Sequence, residues 1–317
     1  MKKHKICKIL LVILAIFLCV AFYELLGICV AYKKQPEVSN TTKKETKNGS
    51  WNECSENTER AVIIEKNPEA LLQRVRLIKN AKKEIILSTF AFKSDESGKL
   101  ILGALHDAAD RGVHIRLLVD GMESWIDMEG NPYFYGLSSH ENVEIKLYNK
   151  ANPLKPWKMM GRMHDKYLIA DGKRYILGGR NTYNYFLGDF PGHKNYDRDV
   201  LVVCDEPEKE NSVNQLSEYF ETIWNQEDSG YFHNNKKLAN RKSVKNAVLE
   251  LQNSYQKYFE ENKERICQTN YTDETFETEK ITLVSNPIHT GSKEPVVWYQ
   301  LGELMKNAKK RVKIHTP

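Results

Sequence analysis

The chain has 317 residues, enough for about two domains at roughly 100–200 residues each. Hydrophobic residues make up 41% and charged residues 28%, a globular balance that excludes a disordered or fibrous chain. The net charge of +5 suits an anionic partner such as phosphate or an acidic lipid surface, and without a long basic run or Arg-rich arm it does not favour nucleic acid.

Lys2, Lys3, His4, Lys5 and Lys8 precede an apolar run over 9–23, which Glu24 interrupts and residues 25–32 continue. A spanning helix needs about 20 residues, so 1–33 is expected to be a single-pass N-terminal membrane anchor. Cys29-Val30-Ala31 is a weak candidate for signal cleavage. Lysines flank both sides, Lys33, Lys34, Lys43 and Lys44 following the run, so the positive-inside contrast is small. A short basic N-terminus that stays inside would place the body on the extracytoplasmic side. Residues 34–59 read as a flexible polar tether.

In the body, Asn67-Pro68-Glu69 predicts a helix start, with Asn67 as N-cap and Pro68 at the first helical position. Leu71, Leu72, Val75, Ile78 and Ala81 follow at helical spacing. Residues 84–90 predict a buried strand. A second helix is expected over about 99–111, stopped by Gly112. Strands are expected over 113–119, 143–148 and 198–204, and a helix over 215–224. Strand–helix–strand alternation predicts an α/β fold, a mixed sheet flanked by helices on both faces. The polar stretch 206–279 reads as a helical linker or insertion, with one helix near 243–262. The body therefore divides into a first domain over 60–205, this linker over 206–279, and a segment 280–317.

That last segment carries a repeat. Residues 78–89 (IKNAKKEIILST) and 305–316 (MKNAKKRVKIHT) agree at six of 12 positions, at a constant offset of 227. Both read as the end of an amphipathic helix running into a strand. Residues 280–317 are thus expected to begin a second, similar domain that is cut off at Pro317. Six cysteines are present. None shows Cys-x2-Cys spacing, so no zinc site is expected; one bridge, Cys54 to Cys267, stays open as a pairing.

Residues 164–181 read HDKYLIADGKRYILGGRN. His164 and Lys166 are two apart, so on a strand they share a face. Asp171-Gly172 predicts a turn into a returning strand over 175–177. Gly178 and Gly179 let the backbone approach a ligand or bend where a side chain would clash. Asn181 adds a neutral amide donor. An imidazole can attack phosphorus and split one hard step into two. Lys166 and Asn181 can supply fixed donors to the charge that builds on phosphoryl oxygens.

This spacing, His-x-Lys-x4-Asp-x6-Gly-Gly-x-Asn, resembles the signature of the phospholipase D superfamily. The tract 108–113 followed by 117–120 is similar to that family's helix–strand unit, and the wider chain resembles bacterial membrane-anchored cardiolipin synthase-like proteins. The resemblance implies that two such motifs meet to form one site, without metal or other cofactor. It implies His164 as nucleophile or acid, Lys166 with Asn181, Gly178 and Gly179 at the phosphate, Asp171 as a supporting catalytic carboxylate, and Asp199 as a further supporting acid. The implied activity is phospholipid phosphodiester chemistry: phosphatidyl transfer such as cardiolipin synthesis, or hydrolysis, through a covalent phosphohistidine. A dimeric nuclease of the same superfamily and an inactive half-enzyme that binds anionic head groups are the alternatives. Only one motif is present in this sequence, so the expected partners are a phospholipid, the membrane and a second motif-bearing half.

Overall fold

The structure is a computed structural model that describes residues 2–49, 59–204, 211–233 and 235–314. It separates into two compact units. One comprises residues 1–48, 151–162 and 285–307; the other comprises 49–150, 163–284 and 308–317.

The first unit contains α1 (Lys2–Tyr32), α2 (Asn40–Asn48) and α10 (Val296–Asn307). Within α1, His4–Tyr32 is the one described helix long and apolar enough to cross a membrane. Part of the expected tether is helical instead. Ser39 Oγ accepts from Thr42 N–H at 3.1 Å, an N-cap that starts α2 in a polar sequence. Helix α10 ends at Asn307, the counterpart of Asn80 at the offset of 227. The strand expected after it is not formed: residues 311–314 have no strand partner among the described residues, and Val312 and Ile314 are exposed. A strand requires a neighbour to take its backbone hydrogen bonds. The last residues of the repeat, His315 and Thr316, lie outside the described residues, as does Cys54 of the open disulfide pairing.

The second unit is a nine-stranded mixed sheet. Its strands are β1 (Glu59–Ile64), β2 (Glu84–Thr89), β3 (His114–Asp120), β4 (Val143–Tyr148), β5 (Tyr167–Ala170), β6 (Arg174–Gly178), β7 (Asp199–Cys204), β8 (Ser229–Tyr231) and β9 (Phe276–Glu277). They lie in the order β8-β4-β3-β2-β5-β6-β7-β1-β9. β2, β3 and β4 are parallel, joined through α4 (Glu96–Asp110) and through α5 (Gly121–Asp127) with α6 (Pro132–Ser138). The β2–β5 pair is antiparallel, as are the remaining neighbours.

Alternation sends the two sets of strand side chains to opposite faces. Ile85, Leu87, Ile115, Leu117, Leu168 and Ala170 join the core with α3 (Asn67–Asn80), α4, α6 and α8 (Lys242–Glu261). Arg116 and Tyr167 point the other way, onto Phe220 of α7 (Ser212–Trp224), with Arg116 4.8 Å from that ring. Helices therefore cover both faces, as expected. Gly112, at φ +87, terminates α4 as its sequence position predicts.

One expectation is corrected. Asn67 is the first residue of α3 and not its cap; Lys66 caps without a side-chain bond. The Asn67 amide is drawn into the interior, where it donates to Asn195 O and accepts from Arg180 Nε. The described residues of 206–279, expected as a helical linker or insertion, fall within the same compact unit as the sheet. This stretch supplies α7, both outer strands β8 and β9, α8 and α9 (Lys263–Cys267). Its apolar residues Val244, Ala247, Leu251, Tyr255 and Phe259 recur at helical spacing and are buried. Gly103 of α4 makes the close approach possible, since a Cβ there would meet Leu251 O at 2.7 Å.

Candidate active site

The parallel strands β2 and β3 end on the same edge as β5 begins, because β5 runs antiparallel to β2. In open α/β sheets this carboxyl edge is where ligands bind. His164 and Lys166 lie just before β5, and Lys166 continues the ladder: its carbonyl accepts from Gly178 N–H at 3.1 Å. Met163 N–H donates to Asp120 Oδ2 at 3.1 Å, while Asp120 Oδ1 caps α5. One carboxylate at the end of β3 thus fixes both the approach to His164 and the start of α5.

His164 is exposed and Lys166 is buried. Phe90, directly after β2, touches both. Its ring centroid lies 4.6 Å from the His164 ring, edge-on, and 5.2 Å from Lys166 Nζ. Lys166 Nζ also donates to His164 O at 2.6 Å. Burial pulls the Lys166 ammonium from its ordinary 10.5 down to about 8, opposed by the carboxylates of Asp165 and Asp197. Asn181 joins through the neighbouring backbone. Its Oδ1 accepts from Ala91 N–H at 3.2 Å, which turns the amide's NH2 into its available donor. Two more ladder-like bonds, Thr182 N–H to Ala91 O and Lys93 N–H to Thr182 O, bind the loop after β2 to this segment. The arrangement offers an exposed imidazole beside a buried cation and an amide donor.

Asp171 is not part of this cluster. It lies at the other end of β5, about 20 Å along the chain from His164 at strand rise. Its carboxylate accepts three backbone N–H groups, from Lys82 (2.9 Å), Lys83 (2.7 Å) and Glu84 (3.0 Å). Asp171 (φ 55) and Gly172 (φ 62) are the central residues of the turn that Asp-Gly predicts, closed by Lys173 N–H donating to Ala170 O at 3.0 Å, in a three-residue hairpin loop. The fold never brings this turn round to the histidine, so the expected catalytic support is replaced by a structural lock between hairpin and β2.

Asp199 is likewise committed elsewhere. It is fully buried, with Arg74 NH2 at 2.9 Å and Arg180 NH1 at 3.2 Å. Arg180, from the Gly-Gly-Arg-Asn run, also donates to Asn67 Oδ1 and to the carbonyls of Ile64, Glu65 and Asp197. Gly178 and Gly179 are small because these acids press on them: a Cβ would collide with Asp199 at the first and with Asp197 at the second. Their role in the structure is to admit carboxylates, and no phosphate contact follows from their backbone alone.

Phe90, Asp165, Asp197 and Arg180 carry no local sequence signal for a site. Phe90 ends the apolar run 84–90, and Asp165 sits inside the motif; both were visible as letters, but only strand pairing brings them to Lys166.

A family model described as "Cardiolipin synthase, PLD-like domain" matches residues 74–224. An uncharacterized protein of Helicobacter pylori J99 is 31% identical over 212 residues, 62% of this chain and 39% of that protein. Cardiolipin synthase C of Escherichia coli K12 is 29% identical over 154 residues, 44% of this chain and 31% of that protein. The chain thus spans less than half the length of these relatives. A solved structure of phosphatidylserine synthase from Haemophilus influenzae covers 70% of this chain and 48% of its own, at 16% identity and a TM-score of 0.46. Residues 74–224, which run across β2–β7 of the helix-flanked mixed sheet, are thus matched by a phospholipase D-like family model, and the chain is similar in sequence to a cardiolipin synthase.

Proposed function

We propose that the protein processes phospholipid phosphodiesters at the bilayer surface, by phosphatidyl transfer or hydrolysis, with His164 as the nucleophile. What carries this reading is the shared contact of an exposed His164 and a buried Lys166 on Phe90. An imidazole nitrogen of His164 attacks phosphorus; the P–N bond forms as the P–O bond to the leaving alcohol breaks. The leaving oxygen takes a proton from an acid in a second motif-bearing half. Water or a lipid alcohol then gives its proton to that same group, now a base, and attacks phosphorus as the P–N bond breaks. Lys166 and the Asn181 amide hold the non-bridging oxygens; losing one such donor costs about 3–4 kcal/mol in the transition state.

The membrane assignment belongs to the same proposal: α1 anchors the protein, with the body on the extracytoplasmic side. So does the second half. The matching helix ends at Asn80 and Asn307 support 280–317 as the beginning of a second similar domain.

The test is turnover of phosphatidylglycerol, cardiolipin and phosphatidylcholine by the product of the native gene and by its His164→Ala and His164→Asn variants. Both variants should lose turnover at least 1,000-fold, an order of magnitude set by removal of a covalent nucleophile, with folding unchanged. Undiminished activity in His164→Ala would remove the nucleophile. Cleavage of single-stranded DNA with all three lipids untouched would replace the lipid reading with the nuclease one.

A further inference from the structure

Residues 151–162, ANPLKPWKMMGR, belong to the same compact unit as α1. They form a loop with a single helical turn at Pro156–Lys158, and this loop packs on the C-terminal part of α1. Tyr23 Oη donates to Leu154 O at 3.1 Å. At Gly27 a Cβ would meet Pro156 Cγ at 2.5 Å, so the missing side chain lets the turn sit on the helix. The far end of the loop is held in the same way. A Cβ on Gly161 would collide with Thr290, and Thr290 O also accepts from Tyr32 Oη at 2.7 Å. Shielding follows helical spacing along α1: Glu24, Gly27, Ile28 and Ala31 are partly covered, while Phe22, Leu25, Leu26 and Val30 are exposed. Glu24, the acid that breaks the apolar run, thus falls on the covered stripe, and its Oε2 is buried.

The depth of this contact follows from the length of α1. His4–Tyr32 has 29 residues, and a spanning helix needs about 20. Counted from Ile9, just behind Lys8, about 20 residues reach Ile28. Tyr23 and Gly27 therefore fall in the last turns of the span, where hydrocarbon gives way to headgroups, and the loop that touches them lies in that layer. Its side chains suit the place. Leu154 is 77% exposed, Met160 58% and Trp157 45%. Indole rings favour the membrane–water interface. Lys155, Lys158 and Arg162 give the loop three positive charges, and it contains no acid. Basic groups at this level attract anionic headgroups.

We infer that loop 151–162 is a second membrane contact of this protein, seated in the headgroup layer of an anionic phospholipid bilayer, in the leaflet that the C-terminal end of α1 reaches. The inference rests on the anchor proposed above and extends it to the segment that runs into the motif, since Arg162 is two residues before His164. Three exposed apolar side chains bind a bilayer only marginally by themselves. A spanning α1 supplies the effective concentration that keeps them there. Removing α1 also removes the Gly27 surface on which Pro156 sits. The loop therefore docks as part of the anchored chain and lets go when α1 is deleted.

The experiment uses the full chain reconstituted in vesicles of phosphatidylcholine and phosphatidylglycerol. Flotation reads the anchor; quenching of tryptophan fluorescence by brominated lipids reads the loop. Trp157 is one of five tryptophans, so its share is the difference between wild type and Trp157→Phe, a change that leaves Pro156 on Gly27. Bromines near the headgroup end of the acyl chain should quench this share more than bromines near the chain terminus. Brominated phosphatidylglycerol should quench it about twofold more than brominated phosphatidylcholine at equal mole fraction, because the lysines gather anionic lipid around the loop. Lys155→Gln combined with Lys158→Gln should bring the two lipids level. A chain that floats while Trp157 answers to aqueous iodide and not to bromine overturns the inference and leaves the anchor standing. Shielding of Trp157 from both quenchers assigns the loop to a protein partner, a second copy or a second half, and overturns it too. Equal quenching of wild type by the two lipids removes the anionic preference and with it the inference as stated. A chain that does not float loses the anchor and the inference together.

Discussion

Lys166 is a charged group kept where folding alone would not place one. Its midpoint near 8, against 10.5 in the unfolded chain, means that the unfolded state binds more protons between those values. Stability should therefore rise with pH across that window, and the charged form costs on the order of 3 kcal/mol at neutral pH. Replacing Lys166 by Met forfeits the bond to His164 O, worth about 1 kcal/mol. Lys166→Met should then be more stable than wild type by about 2 kcal/mol at pH 7, while activity is lost. Urea unfolding at pH 7 and pH 10 checks this: the gain should shrink at the higher pH. Asp199 predicts the opposite sign. Asp199→Asn leaves Arg74 and Arg180 buried without their countercharge. It should destabilise by about 3–5 kcal/mol, read as a lower urea midpoint; a loss under 1 kcal/mol would mean that the guanidiniums find other partners.

Elements meet at a few such joints. The β5–β6 hairpin is locked to the start of β2 by Asp171, which serves three consecutive N–H groups. Asp171→Ala should cost about 2 kcal/mol and lower the melting temperature, while the rate per folded molecule changes little. A rate loss as deep as that of His164→Ala, in a protein that is still folded, would return Asp171 to the chemistry. Helix α8 is another such joint. Leu251 is fully buried against the core. Leu251→Ala should cost about 2–5 kcal/mol in the unfolding of the sheet domain as a whole. Independent melting of 242–261 would restore the view of this stretch as an appended segment.

For the whole molecule, α1 carries its large apolar side chains exposed, from Ile6 to Val30. Removing residues 1–33 should shift the protein from the membrane pellet to the soluble fraction with the sheet domain folded, as followed by fractionation and circular dichroism. A full-length chain recovered as a soluble species processed near Ala31 would replace the anchor by a cleaved signal.

Local chemistry made much of this protein legible in its sequence. Short apolar runs marked β2 and β3, because strands buried on both faces need no alternation, while β4, reading VEIKLY, alternates apolar with charged residues. Asp171-Gly172 announced its hairpin, and the close spacing of His164 and Lys166 placed them at one strand start. Tertiary structure decided the rest, through contacts between residues far apart in sequence. Asp171 and Asp199 are carboxylates of the right type, but backbone direction takes one to the wrong end of β5, and two arginines claim the other. Phe90 reaches His164 only because β5 pairs antiparallel with β2, and Tyr219 reaches Asp165 only because α7 packs on β5. Composition reads 206–279 as a helical linker or insertion, since the polarity of α8's outer face outweighs one buried stripe when the residues are merely counted. Burial of that stripe is settled by the partner helix α4 and the space at Gly103, which no local window contains.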